Sequence, residues 1–354
     1  MRKLILGLTA AVAALGLAGA AEAQQVKWRF QAIVPVNTFF YTTMVKAFSD
    51  NAKLMSGGRI EIQPFGVGEI VPAFKIHEEV AKGTVDAGWT TAAFLANADL
   101  ANGLLGNFPG GPSPETWLHW YYVGGGKQLW QEYRRDVLKV HSMMCGLGTT
   151  EFFAHSHKPV RTKDDLKGLK HRTTGVWAQV LKEVYGAPTA VISSEELFGA
   201  FERKVIDSLE FAGPGGNIGL GYHKVAKYII IPGVHQPASP VECVINMDKW
   251  NALSDTDKQV LEAAAELTTY RSYALTGQED FKAMPQYRDN KNEFIELDPA
   301  LVLDIQAETR KWLEAKAKEN EGKGNPWMGR ILKHMTDYQA TFAANSGTRA
   351  WDKK

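Results

Sequence analysis

Two hydrophobic periods alternate along the chain once its first two dozen residues are passed. VKWRFQAIVP reads as a strand, and FFYTTMVKAFSDNAKLMSGG carries apolar residues at helical spacing before closing on a glycine pair. RIEIQPF returns to strict alternation and predicts a second strand. VPAFKIHEEVAKGTVDAGWTTA then gives helix, turn and a short apolar strand, so this region reads as an α/β lobe on a largely parallel sheet. The same grammar returns in LFGAFERKVIDSLEFAG, residues 197–213, where Asp207 holds the place that Asp86 holds in IHEEVAKGTVDAGW. It reads either as a second copy of one structural unit or as the ordinary repetition of any βαβ protein.

From about Met247 onward the pattern becomes helical and charged: KWNALSDTDKQVLEAAAELTTYRSYALTG, DPALVLDIQAETRKWLEAKAKEN and WMGRILKHMTDYQATFAAN. Ser254 and Asp255 supply a helix start, and glycines close the stretches. Helices of this length are suited to bracing two lobes or forming a dimer surface.

The N-terminus changes the reading of the whole. Arg2 and Lys3 precede an apolar run and then Ala21-Glu22-Ala23, the pattern of a secretory signal peptide over residues 1–23. Its removal takes away two basic residues and Glu22, leaving 38 of the 40 basic and 38 of the 39 acidic residues. A near-neutral exported chain has no field suited to nucleic acid or an anionic membrane. No later apolar run reaches the roughly 18 residues of a membrane span, so the expectation is a periplasmic protein.

The remaining length, roughly 330 residues, exceeds what one core usually organises and predicts two lobes. Cys145 and Cys243 are the only cysteines. Export permits a disulfide between them, but spacing alone leaves paired and free thiols equally open. Neither has a second thiol nearby, so they form no metal knuckle.

Common catalytic motifs are missing. The chain lacks G-x-S-x-G, H-E-x-x-H and C-x-x-C, and GGGKQ at 124–128 lacks the hydroxyl residue of a P-loop. His155 and His157, at i and i+2 with His171 not far off, have zinc-like spacing but no evident third ligand, and read as surface histidines beside Lys158 and Pro159. The aromatic run WLHWYY at 117–122 suggests packing beside a cleft. HRTTG at 171–175 puts Arg172 at the end of a short strand facing the next helix; read alone, an arginine there is most simply a solvated charge.

Several segments together resemble the extracytoplasmic solute receptors of the tripartite ATP-independent periplasmic (TRAP) transporters, of the dicarboxylate-receptor type: MSGGRIEIQPFGVGEIVPAF, EEVAKGTVDAGW, DDLKGLKHRTTG, AFERKVIDSLEF and LGYHKVAKYIIIPGVHQP. WYYVGGGKQLWQEY and GYHKVAKYIIIPGVHQP resemble the branch that binds 2-oxo acids together with a metal ion. The resemblance implies an α/β, two-lobe periplasmic binding protein of the Venus-flytrap kind, with crossing strands and long C-terminal helices. Its expected division is lobe I at 24–147 and about 247–300, lobe II at 148–246, and bracing or dimerising helices at 301–354. It implies a receptor, not an enzyme, that closes on a small organic acid and delivers it to a small and a large membrane subunit.

The resemblance also implies a site. Arg172 falls where the family pairs an arginine with the substrate carboxylate, a role suited to the planar donor fork of a guanidinium. Glu151 falls on a glutamine that ligates the ion in that branch, Glu210-Phe211 on a Glu-Trp pair, with Phe211 giving its carbonyl, and Gln236 on a glutamate. One acid has become an amide and one amide an acid, so the oxygen donors and carboxylate count survive and a calcium or sodium ion is expected; the charge sum favours calcium. Phe40, Trp89, Thr90 and Phe94 are expected in the wall, together with Glu151 and Phe211. The family's R-x-P-G reads Arg172-Thr173-Thr174-Gly175, and its G-P-Y-N reads Gly213-Pro214-Gly215-Gly216. Loss of that tyrosine predicts a roomier pocket for a 2-oxo or 2-hydroxy acid with a bulkier side chain. Two other classes stay open: a ligand receptor for a membrane sensor, and a secreted metal-dependent enzyme with Glu151 or Glu210 as base.

Overall fold

A computed structural model describes residues 25–346 of the chain; the expected signal peptide lies outside them. Among these residues, eleven strands form two sheets. The first has the order β2-β1-β3-β10-β4, built from β1 (Val26–Ala32), β2 (Ile60–Phe65), β3 (Ala87–Thr90), β4 (Val140–Gly148) and β10 (Ser239–Asn246). The second has the order β11-β9-β5-β8-β6-β7, from β5 (Ala154–Ser156), β6 (His171–Arg172), β7 (Thr189–Ala190), β8 (Ser208–Leu209), β9 (Tyr228–Ile231) and β11 (Glu293–Glu296). Parallel pairing joins β1 to β2 and β3, and β6 to β7 and β8.

Local chemistry sets these elements as the pattern suggests. The first helical segment begins as a wide π-helical stretch, Tyr41–Lys46, and continues as α1 (Ala47–Met55). Gly57 and Gly58 end it at positive φ, where a side chain is strained, and Gly58 N–H returns to Lys53 O. The repeated unit is physically the same in both lobes. Asp86, just before β3, accepts from the Arg29 amide of the neighbouring parallel strand; Asp207, just before β8, accepts from the Lys170 amide leading into β6. Each aspartate pins the start of a strand whose far end reaches the cleft.

The chain crosses between sheets on β4 and returns on β10, which lie antiparallel side by side. Cys145 and Cys243 join these two strands in a disulfide with Cα atoms 5.4 Å apart, which settles the question that spacing left open. A 35-residue helix, α2 (Asp255–Asp289), starts with Ser254 accepting from the Asp257 amide. It packs on β4 and α1 and then runs on to the short helix Pro214–Gly219 of the second lobe.

Two lobe boundaries need correction. β10 was expected in lobe II but belongs to the first sheet, and β11 was expected in lobe I but adds to the edge of the second, beside β9. A period-two pattern identifies a strand; it carries no information about which sheet supplies its partner. The C-terminal helices, α3 (Pro299–Gly322) and α4 (Trp327–Ser346), pack against each other. Leu301, Leu313, Ile331 and Met335 share one apolar cluster with Trp117 and Trp120 on one side and Val180 and Ile230 on the other. The run WLHWYY is therefore core: Trp117, Trp120 and Tyr121 are buried in that cluster and do not form a cleft wall.

Candidate functional site

A cavity of about 100 Å³ lies between the lobes. Its walls come largely from the ends of parallel strands: Ile33 and Val34 after β1, Trp89 and Thr91 at the end of β3, Arg172 to Thr174 at the end of β6, and Glu210 to Gly213 after β8. That is where an α/β sheet leaves room, because the chain turns away from the sheet there and exposes backbone and side chains to a crevice. The lobes are closed around it: Ser194 Oγ donates to Ile33 O and Gln236 Nε2 to Gly106 O, at 2.9 and 2.7 Å.

Arg172 is buried, so the solvated reading does not hold for it. Its Nη1 donates to Glu210 O at 2.7 Å and lies 3.4 Å from Glu210 Oε1, while Nε donates to Ile192 O at 3.2 Å. Its guanidinium sits 5.3 Å from the ring centroid of Phe211, a face that favours a cation. Glu151, three residues past β4, accepts from Ser239 Oγ at 2.7 Å through Oε1, and its buried Oε2 has no hydrogen-bond partner.

His235, in the return to β10, completes the cluster. One ligand atom each from Glu151, Glu210 and His235 lie within 4.8 Å of one another, and all three side chains are buried. His235 Nε2 stands 3.7 Å from Glu151 Oε2, and neither ring nitrogen has a hydrogen-bond partner. The ring is fixed by packing, edge-on to Phe153 with centroids 5.6 Å apart.

Burial dominates the electrostatics of the cluster. It pushes Glu210 up to about 7, with Arg172 opposing and Glu151 adding to the rise. It also raises Glu151, against the hydrogen bond from Ser239 and the charge of Arg172. His235 is pushed down to about 4 by the same loss of water. Two carboxyls and a neutral imidazole converging without enough protein partners make a donor set that fits a cation.

Of the residues expected at the site, Arg172, Glu151, Glu210, Phe40, Trp89, Phe94, Phe211 and Gln236 all line the cavity. Thr90 does not. Side chains alternate along β3, so Trp89 and Thr91 share the cleft face, and fully buried Thr90 stands opposite Glu242 of β10. Gln236 reaches the cavity, yet its amide nitrogen is spent on the opposite lobe.

The roomier pocket expected at Gly213-Pro214-Gly215-Gly216 is also not found. A Cβ on Gly216 would lie 2.4 Å from Phe40 Cζ, and one on Gly215 would meet the backbone of α2 at Glu279. Neighbours fill the space left by the missing tyrosine.

His155 and His171 are likewise not on the surface. Both are fully buried, His155 Nε2 at 3.2 Å from Tyr287 Oη and His171 Nδ1 at 2.7 Å from Ser208 Oγ, because their strands lie inside a sheet covered on both faces. The histidine that the fold brings to the two carboxyls, His235, was missed. Its only signal was adjacency to Gln236 in VHQP; the cluster forms by folding across more than eighty residues of sequence.

The profile of the family "bacterial extracellular solute-binding protein, family 7" (DctP) matches residues 30–320. A monocarboxylate 2-oxoacid-binding periplasmic protein of Nostoc is 29% identical over 260 residues, 72% of this chain and 70% of that one. Among solved structures, a TRAP periplasmic solute-binding protein of Colwellia psychrerythraea with bound calcium and pyruvate has a TM-score of 0.86 at 24% identity, covering 93% of this chain and 99% of that one. Another from Pseudoalteromonas atlantica, with bound sodium and pyruvate, has a TM-score of 0.85 at 24% identity, covering 91% and 96%.

Proposed function

This chain belongs to the family-7 bacterial extracellular solute-binding proteins, and on that premise we propose that it captures a small 2-oxo or 2-hydroxy monocarboxylate for a TRAP transporter. The observation that carries the reading is a buried arginine at a strand end beside two buried carboxyls, enclosed between closed lobes.

Arg172 pairs with the ligand carboxylate through the part of its guanidinium not engaged by Glu210 and Ile192. The backbone oxygens of those two residues fix the fork before ligand arrives, so little ordering is left to the binding step. Phe211 covers one face of the guanidinium, and Phe40, Trp89, Phe94, Ile33 and Val34 give the cavity an apolar wall. Closure removes water, which strengthens each charged contact inside. Glu151 and Glu210 hold a cation, and that ion supplies positive charge to the acid's carboxylate and its neighbouring oxygen. The relatives that carry sodium or calcium with pyruvate support this assignment, as does the orphaned Oε2 of Glu151. The cavity volume favours an acid of a few carbon atoms.

In this reading the protein binds and releases its ligand and is not an enzyme. It works in the periplasm after removal of residues 1–23, delivers to a small and a large TRAP membrane subunit, and is able to pair as a homodimer. Among the described residues, no helix is long and apolar enough to cross a membrane.

The test is calorimetric titration with pyruvate, lactate, propionate and acetate, each with calcium, with sodium and after chelation. The reading expects saturable binding of the 2-oxo or 2-hydroxy acids, well ahead of the plain acids and weakened by chelation. Equal affinity for propionate and pyruvate would refute the cation-assisted part, and no binding across the acids would refute the receptor for this substrate class.

A further inference from the structure

The cation site has a feature that an all-oxygen site for sodium or calcium does not need. A buried imidazole stands in it with both nitrogens unpartnered, beside an unpartnered carboxylate oxygen. Leaving a buried polar atom without a partner is unfavourable, and here two such atoms, His235 Nε2 and Glu151 Oε2, stand 3.7 Å apart. Packing against Phe153 holds the ring there without any hydrogen bond to replace the missing partner.

We infer that His235 Nε2 is a metal ligand in this protein and that, with Glu151 and Glu210, it makes the site select a divalent transition ion of the zinc type over calcium or sodium. The inference rests on the reading of the cleft as a cation-assisted receptor and names the ion class of that site.

Donor chemistry carries the argument. Calcium is an ion of oxygen ligands, and in this cluster a ring nitrogen stands with two carboxyls. Zinc is satisfied by three protein ligands from histidine and carboxylate plus an open position, which the captured acid is placed to fill. The 3.7 Å between His235 Nε2 and Glu151 Oε2 is near the roughly 3.3 Å that separates two ligands at the corners of a zinc tetrahedron. Transition ions also outrank calcium wherever imidazole is a donor.

The carboxyls are oriented for the task from outside the cluster. Ser239 Oγ donates to Glu151 Oε1, and Arg172 approaches Glu210 Oε1 while gripping its backbone oxygen. Such supporting contacts fix ligand direction and tune affinity.

The experiment uses tag-free, chelator-stripped mature protein titrated calorimetrically with zinc, calcium and sodium chlorides in the absence of organic acid, alongside the His235→Gln variant. One zinc ion per chain is expected, bound at least 100-fold more tightly than calcium, with the variant losing at least 100-fold for zinc and less than fivefold for calcium. Calcium binding equal to or tighter than zinc in the wild type overturns the inference, as does zinc binding indifferent to His235→Gln.

X-ray absorption on the zinc-loaded wild type is independent of the variant's folding. One imidazole in the coordination shell supports the inference, and none overturns it. Pyruvate titration of the calcium-loaded wild type separates the two readings: binding there alongside failure of the zinc arm removes only the ion assignment, whereas failure of pyruvate under every ion removes the receptor reading beneath it.

Discussion

Replacing Arg172 with methionine keeps the length of the side chain and removes every donor. Two parallel charge-assisted hydrogen bonds to a carboxylate contribute about 1.5–3 kcal/mol each. Their loss therefore weakens binding of a 2-oxo acid by roughly 3–6 kcal/mol, or between two and four orders of magnitude in Kd. The structure adds a second effect. Arg172 also holds Glu210 O and Ile192 O, so the variant leaves two acceptors unpaired and removes the positive charge that opposes the rise of Glu210. The variant should melt at a lower temperature even without ligand. Arg172→Lys keeps the charge but not the fork and is expected to lie between wild type and methionine. Calorimetric titration with pyruvate at a fixed cation concentration reads the affinity, and near-UV circular dichroism checks that the closed packing survives. A methionine variant that stays folded and loses less than tenfold in affinity would show that Arg172 is a structural clamp for Glu210 and not the carboxylate partner.

Three other perturbations test the frame around the site. Removing the Cys145–Cys243 bridge by a double alanine substitution opens a loop spanning 98 residues; chain entropy puts the cost near 4.7 kcal/mol and the fall in Tm at roughly 7 °C. A fall below 2 °C in differential scanning fluorimetry counts against that estimate. Glu242→Gln leaves the fully buried Arg134 without its counter-charge and should cost about 3–5 kcal/mol. Arg134 and His77, working against burial, hold the Glu242 carboxyl well below the usual range. Its contribution is thus complete above about pH 4.5 and lost as pH falls below it. Wild-type urea midpoints should accordingly drop more steeply than the variant's between pH 4.5 and 3, and parallel curves would exclude this linkage. Gly216→Val places a side chain against Phe40 across the cleft; overpacking of about 1–3 kcal/mol should weaken ligand binding tenfold to a hundredfold and enlarge the liganded molecule in small-angle scattering, and an unchanged radius would mean that Phe40 yields.

Elements whose signal is local were legible in the sequence. The glycine stop at Gly57-Gly58, the Ser254 helix start and the Asp86 and Asp207 units each depend on a few neighbouring residues, and all appear in the structure. The place of Arg172 in the cleft was legible only through the resemblance of ordered segments, since nothing in HRTTG alone separates a buried arginine from a solvated one.

The sequence by itself determined the α/β grammar, the export pattern, the near-zero charge and the absence of familiar catalytic motifs. Tertiary structure alone decided which sheet receives β10 and β11, because strand pairing is a contact between distant segments that no local period encodes. It decided that Thr91 and not Thr90 faces the cleft, because a one-residue step along β3 reverses the face. It filled the space beside Gly216 with Phe40, and it brought His235 to Glu151 and Glu210, three residues from three separate segments whose meeting exists only when the two crossing strands and β8 converge at the cleft.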